Sequence, residues 1–140
     1  MNKRRAQRGF TLLELLVVLV ILGLLAAVAG PQVMKHVGGA KSSTAKLQID
    51  EFGAALDMYK LEVGRYPNTQ EGLQALSEAP SGATNWNGPY LKKKTVPKDP
   101  WGNDYHFESP GQHGAFDIFS YGADNREGGE GEDKDVVNWQ

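Results

Sequence analysis

The sequence contains no cysteine, which excludes a disulfide framework, a thiolate nucleophile and a thiolate metal site. Histidine is scarce: His36, His106 and His113 are separated by structure breaks, and no pair has the spacing of a helix-face metal site. There is no excess of positive charge. Fifteen Lys and Arg stand against 17 Asp and Glu, a formal charge of -2, so the chain has no electrostatic case for nucleic-acid binding. No nucleophile and base are paired at a recognisable spacing, and no glycine motif is built to cradle phosphate, so the reading is non-enzymatic. At 140 residues and 15.3 kDa the chain suits one small domain. Its glycines and prolines lie mostly beyond residue 60 with aromatics among them. That distribution predicts a turn-rich, small-cored second half rather than disorder.

What the sequence does have is one long apolar block. After a basic head with Lys3, Arg4, Arg5 and Arg8 comes FTLLELLVVLVILGLLAAVA from Phe10 to Ala29, where only Thr11 and Glu14 are polar. As a helix, a run of this length would extend about 30 Å and cross a bilayer core. The preceding positive charge predicts that residues 1–9 stay cytoplasmic and the rest is exported. Two processing readings compete. In one, Ala27-Val28-Ala29 is a secretory cleavage site releasing a soluble protein from Gly30. In the other the helix is retained. Glu14 favours retention, because a carboxylate inside an apolar run costs about 2.5 to 3.5 kcal/mol near a membrane centre and calls for a positive partner. A cut between Gly9 and Phe10 would create one: the new α-amino group of Phe10, four residues before Glu14, can meet that carboxylate in a neighbouring copy.

Gly9-Phe10-Thr11-Leu12-Leu13-Glu14 followed by an apolar run resembles the type IV prepilin signature shared by type IV pilins and the pseudopilins of type II secretion systems. The resemblance implies cleavage after Gly9 by the prepilin peptidase, N-methylation of Phe10, and a helix kept as both membrane anchor and filament core. Glu14 is then the assembly residue.

Beyond the block, Gly30-Pro31 signals a kink or local unwinding, with Gly38-Gly39 a second weak point. Ile49, Phe52, Leu56, Tyr59 and Val63 recur at spacings of 3 and 4. They predict an amphipathic helix from Gln32 to Val63, capped by Gly64. Asn68 and Glu71 predict a capping box opening a short helix through Leu73 and Leu76. Trp86 and Tyr90 are expected to pin the following loop, and Lys92-Lys93-Lys94 reads as a solvated face. Tyr105 to Glu108 and Ala115 to Phe119 read as an antiparallel hairpin turning at Pro110-Gly111, too small to stand without the helix.

Arg65-Tyr66-Pro67, Glu71 to Leu76, Asp99 to Tyr105 and Ser120 to Asp124 together resemble the major pseudopilins of the type II secretion system, over nearly the whole chain. From Asp124 to Asp135 the sequence DNREGGEGEDKD packs six acids with two bases and three glycines. Such a tail stays extended unless a cation gathers it, and its carboxylates and turning glycines suit Ca²⁺ without spelling an EF-hand. The resemblance implies one Ca²⁺ in this loop. Asp124 and Asp135 match the ligand positions best, the backbone carbonyls of Tyr121 and Arg126 are further ligands, and Asp133, Glu127 and Glu132 are reserves.

The expected fold is α+β and type IV pilin-like, a long N-terminal helix against a small antiparallel sheet with a glycine-rich calcium loop. Residues 1–9 form a cleaved leader, 10–31 the membrane-spanning and filament-core segment, 32–64 the amphipathic continuation, and 65–140 a periplasmic body with its acidic loop at 120–135. The expected function is that of the major structural subunit of the type II secretion pseudopilus, a filament supporting export of folded proteins across the outer membrane. Its expected partners are further copies of itself, minor pseudopilins, the prepilin peptidase and the inner-membrane assembly platform. Two alternatives stand beside it: a type IV pilus subunit for adhesion or motility, and a soluble periplasmic calcium-binding module.

Overall fold

The computed structural model describes residues 8–140; Lys3, Arg4 and Arg5 of the expected leader lie outside the described residues. The chain divides into two compact units, one ending at His36 and the other running from Val37 to Gln140.

Helix α1 spans Leu12–Val63, 52 residues with Pro31 inside. Of the kink or local unwinding expected at Gly30-Pro31, unwinding is not seen: helix is continuous there and through Gly38-Gly39. Proline deletes one intrahelical donor, whereas an unwound turn in an apolar segment would strand several backbone groups. The smaller loss wins. Gly64 ends α1 as expected, with φ +91° and its N–H on the Lys60 carbonyl at 2.8 Å.

The second unit is built on the stripe of α1 recognised by its spacing. Ile49, Phe52, Leu56 and Tyr59 are each at most 1% exposed, joined by Ala45 and Ala55 and packed with Leu73, Leu76, Tyr105, Phe107 and Ile118. Phe52 meets Tyr105 edge to face at 5.1 Å. Each large apolar side chain so buried contributes about 1.5 to 3 kcal/mol. Asn68 and Glu71 form the expected reciprocal box: Glu71 N–H donates to Asn68 Oδ1 at 2.8 Å and Asn68 N–H to Glu71 Oε2 at 2.9 Å. The element they open is a 3-10 turn, Leu73–Leu76, not an α-helix. Gly72, at φ +62°, leaves the helical path directly after the box. Arg65 clamps Glu71 through both terminal guanidinium nitrogens, Nη1 and Nη2, at 2.7 and 2.8 Å, holding its carboxyl below the usual range, and so ties two motif segments together.

Three antiparallel strands follow in the order β1-β2-β3: β1 His106–Glu108, β2 Asp117–Ser120 and β3 Val136–Val137. His106 pairs with Phe119, and Phe119 with Val137. The hairpin is as expected; the third strand is new. Asn138 extends it by side chain as well as backbone. Its Oδ1 accepts the Ile118 N–H at 2.8 Å, its N–H donates to the Ile118 carbonyl at 3.1 Å, and its Nδ2 donates to the Phe116 carbonyl at 3.1 Å. Trp86 and Tyr90 pin their loop as expected, through Trp86 Nε1 on the Ala75 carbonyl and Tyr90 N–H on the Leu76 carbonyl, both at 2.8 Å. Lys92, Lys93 and Lys94 are exposed.

Candidate functional site

Two regions carry the candidate residues. At the N-terminal end, Gly9 and Phe10 precede the helix and are exposed, Phe10 at 94%. Thr11 and Glu14 form a second capping box: Glu14 N–H donates to Thr11 Oγ1 at 3.2 Å, and Thr11 N–H to Glu14 Oε2 at 3.3 Å. The Thr-x-x-Glu spacing signals this bond by itself, a local partner for Glu14 beside the external one expected from the apolar run. The box holds the carboxylate at the helix start, beside Phe10. Large side chains from Leu12 to Leu25 are exposed all round.

The acidic loop is folded back rather than extended. Ala123 N–H bonds the Glu132 carbonyl at 2.9 Å, and a 3-10 turn, Gly131–Asp133, leads into β3. Glu132 lays its side chain on α1 at Gly38, where a Cβ would come within 2.3 Å of Glu132 Cγ. Among the described residues, no group of three His, Asp or Glu side chains gathers in metal-ligand fashion. Asp124 is exposed, with Oδ1 accepting the Arg126 N–H at 3.1 Å. Asp135 is half-buried; Oδ2 accepts the Gly128 N–H at 3.0 Å while Oδ1 is buried without a partner. Tyr121, Glu127 and Asp135 line one cavity of about 280 Å³. Asp124 and Asp133 are not among its walls.

The same cavity is also lined by a polar clasp with no sequence signal beyond its residue types. Asp117 is buried in β2 and accepts from His113 Nδ1 and the Gln112 N–H, at 2.8 and 2.9 Å. Burial alone would raise its pKa; the His113 side chain and the two backbone N–H groups of Gln112 and His113 outweigh it and hold the carboxyl below its usual range. His113 also stacks on Trp139, with ring centroids 4.0 Å apart. Lys46 of α1 donates to the carbonyls of Val137 and Gln140 at 2.8 and 3.1 Å. The segment after the loop is thus held from the helix and from the β1–β2 turn.

An exposed apolar helix that begins just after an exposed Gly9-Phe10 junction and continues into a small helix-and-sheet body defines the pilin-like class of filament subunits. Residues 32–139 match the family model described as Type II secretion system (T2SS), protein G, and residues 4–30 match that of the Prokaryotic N-terminal methylation motif. The type II secretion system core protein G of Pseudomonas aeruginosa is 52% identical over 141 residues, spanning 98% of each chain. That of Vibrio cholerae is 47% identical over 142 residues, spanning 99% of this chain and 96% of its own. The crystal structure of the major pseudopilin from the type 2 secretion system of enterohaemorrhagic Escherichia coli superposes with a TM-score of 0.65 at 34% identity, covering 76% of this chain and 88% of that one. The chain belongs to the type II secretion system protein G family. It is a structural, non-catalytic subunit of the pseudopilus, anchored in the inner membrane by one helix and working with the secretion machinery.

The depressed Asp117 pKa fixes the sign of a pH dependence. Its contribution to stability is complete above the unfolded carboxylate value of about 3.9 and is lost as pH falls through the lower folded value. Asp117→Asn should therefore lower the unfolding midpoint at neutral pH, with the gap to wild type closing in acid. A gap that stays constant down to the lowest pH at which the protein folds would contradict the assignment.

Proposed function

We propose that this subunit forms the body of the pseudopilus by packing the apolar half of α1 against the same half of further copies, after cleavage between Gly9 and Phe10 and methylation of the Phe10 amine. The observation that carries the reading is the exposure of that half: every large side chain from Leu12 to Leu25 is at least 49% exposed. Such a surface is stable only in lipid or against another apolar surface. The partners on this reading are further copies, minor pseudopilins, the prepilin peptidase and the inner-membrane assembly platform. The body lies in the periplasm, and the filament supports export of folded proteins across the outer membrane. Membership in the protein G family sets the adhesion or motility pilus aside.

Glu14 sets the axial register in this proposal. Its capping bond leaves Oε1 free of any partner among the described residues, and the methylated Phe10 amine of a neighbouring copy supplies the opposite charge. Glu14→Ala should leave processing and membrane insertion intact while abolishing pelletable filament. A normal filament yield would remove Glu14 from assembly.

Calcium in the acidic loop belongs to the same proposal. Asp135 and Asp124 would hold the ion by carboxylate, Tyr121 and Arg126 by backbone carbonyl, with Asp133, Glu127 and Glu132 in reserve. The buried, unpartnered Asp135 Oδ1 supports it, since an anionic oxygen out of water without a donor is costly and a cation removes that cost. Bound Ca²⁺ would supply positive charge against the repulsion of six acids. A site whose dissociation constant lies 100-fold below free Ca²⁺ adds about 2.7 kcal/mol to stability. Chelation should lower the melting temperature and expose the chain to proteolysis after Asp124. Restored Ca²⁺ should reverse both better than Mg²⁺, and Asp124→Ala should suppress the response. Identical melting with and without Ca²⁺ would refute the site.

A further inference from the structure

A buried carboxylate outside the loop stands at the loop's entrance. Asp99 is 5% exposed. Its Oδ1 accepts the N–H groups of Trp101 and Asn103 at 3.1 and 2.8 Å, folding the turn around itself. Its Oδ2 accepts the hydroxyl of Ser120 at 2.6 Å. Ser120, at the end of β2, is fully buried. With its proton committed to Asp99, Ser120 Oγ accepts the N–H of Gly122 at 3.2 Å.

That N–H shares one peptide plane with the carbonyl of Tyr121. In a planar trans peptide the two groups point in opposite directions, so fixing the N–H of Gly122 aims the oxygen of Tyr121. The plane is confined from the other side as well. Gly122 sits at φ +71°, and an added Cβ would lie 2.6 Å from the Glu132 carbonyl oxygen and 2.9 Å from that of Lys134. The returning arm of the loop therefore closes on the same peptide. Donation to a carboxylate also enriches Ser120 Oγ as an acceptor, which polarises the peptide and adds negative charge to the Tyr121 oxygen.

We propose that Asp99 and Ser120 are positioning residues that orient and polarise the Tyr121 carbonyl as a ligand for Ca²⁺. This rests on the calcium reading of the loop. A hard cation is sensitive to the direction and charge of each oxygen offered to it, and groups that act only through a ligand still govern affinity. Asp99 does so from 25 residues before Asp124, through a chain of two hydrogen bonds.

The test is calorimetric Ca²⁺ titration of the full-length chain in detergent, stripped with EGTA, paired with thermal unfolding in Ca²⁺ and in EGTA. Ser120→Ala removes the acceptor of the Gly122 N–H. Asp99→Asn keeps the shape of the side chain while replacing an acceptor with a donor toward Ser120, so it serves where the alanine variant is too unstable to titrate. Both should weaken Ca²⁺ binding about tenfold or more and shrink the rise in melting temperature that Ca²⁺ produces. Ile49→Val, a core change remote from this chain of bonds, should lower melting equally in both buffers and leave the affinity unchanged. Wild-type affinity in both variants, with melting lowered equally in Ca²⁺ and EGTA, would make Asp99 and Ser120 structural only and overturn the inference. A wild-type chain that binds no Ca²⁺ would overturn the calcium reading itself, and the inference with it.

Discussion

One helix has to satisfy two surroundings. From Leu12 to Leu25 its large side chains are exposed in every direction, a surface that water cannot solvate without penalty. From Ala45 to Tyr59 only one stripe is apolar and covered. The first stretch needs lipid or neighbouring copies on all sides; the second needs a body on one side and water on the other. A small globular unit is enough to cover that stripe.

That unit is closed without disulfides. Its last strand has two residues, too few to hold a terminus by ladder bonds alone. The work is shared among polar anchors: Asn138 bonding three backbone groups around Ile118, Lys46 reaching the Val137 and Gln140 carbonyls, and His113 joining buried Asp117 to Trp139. Each is worth about 1 kcal/mol net, rising where a charge takes part. The acidic loop lies between β2 and these anchors, so its conformation and the hold on the C-terminal segment are mechanically linked.

Periodic features are legible in the sequence. The stripe from Ile49 to Tyr59, the Asn68–Glu71 box and the β1–β2 hairpin follow from spacing and turn chemistry, because local bonds of that kind depend on neighbours in sequence. Strand β3 was not legible, since two residues carry no alternation and its register depends on Asn138 reaching a strand 20 residues earlier. At Pro31 the unwinding alternative was not realised: its local cost is real, but in an apolar segment an unwound turn would strand more backbone groups than the proline does. The Thr11–Glu14 box is legible in its Thr-x-x-Glu spacing, although an acid in an apolar run points first to a distant partner. In the loop, sequence singled out the acids, yet the bond from Asp99 to Ser120 spans 21 residues and has no local signature.

Everything in this molecule turns on α1 being retained as both anchor and filament core. Intact-mass measurement of the membrane-extracted protein tests it most directly. A chain beginning at Phe10 with one added methyl group is the predicted result; a chain beginning at Gly30 would contradict the claim, because the helix half on which assembly depends would have been discarded.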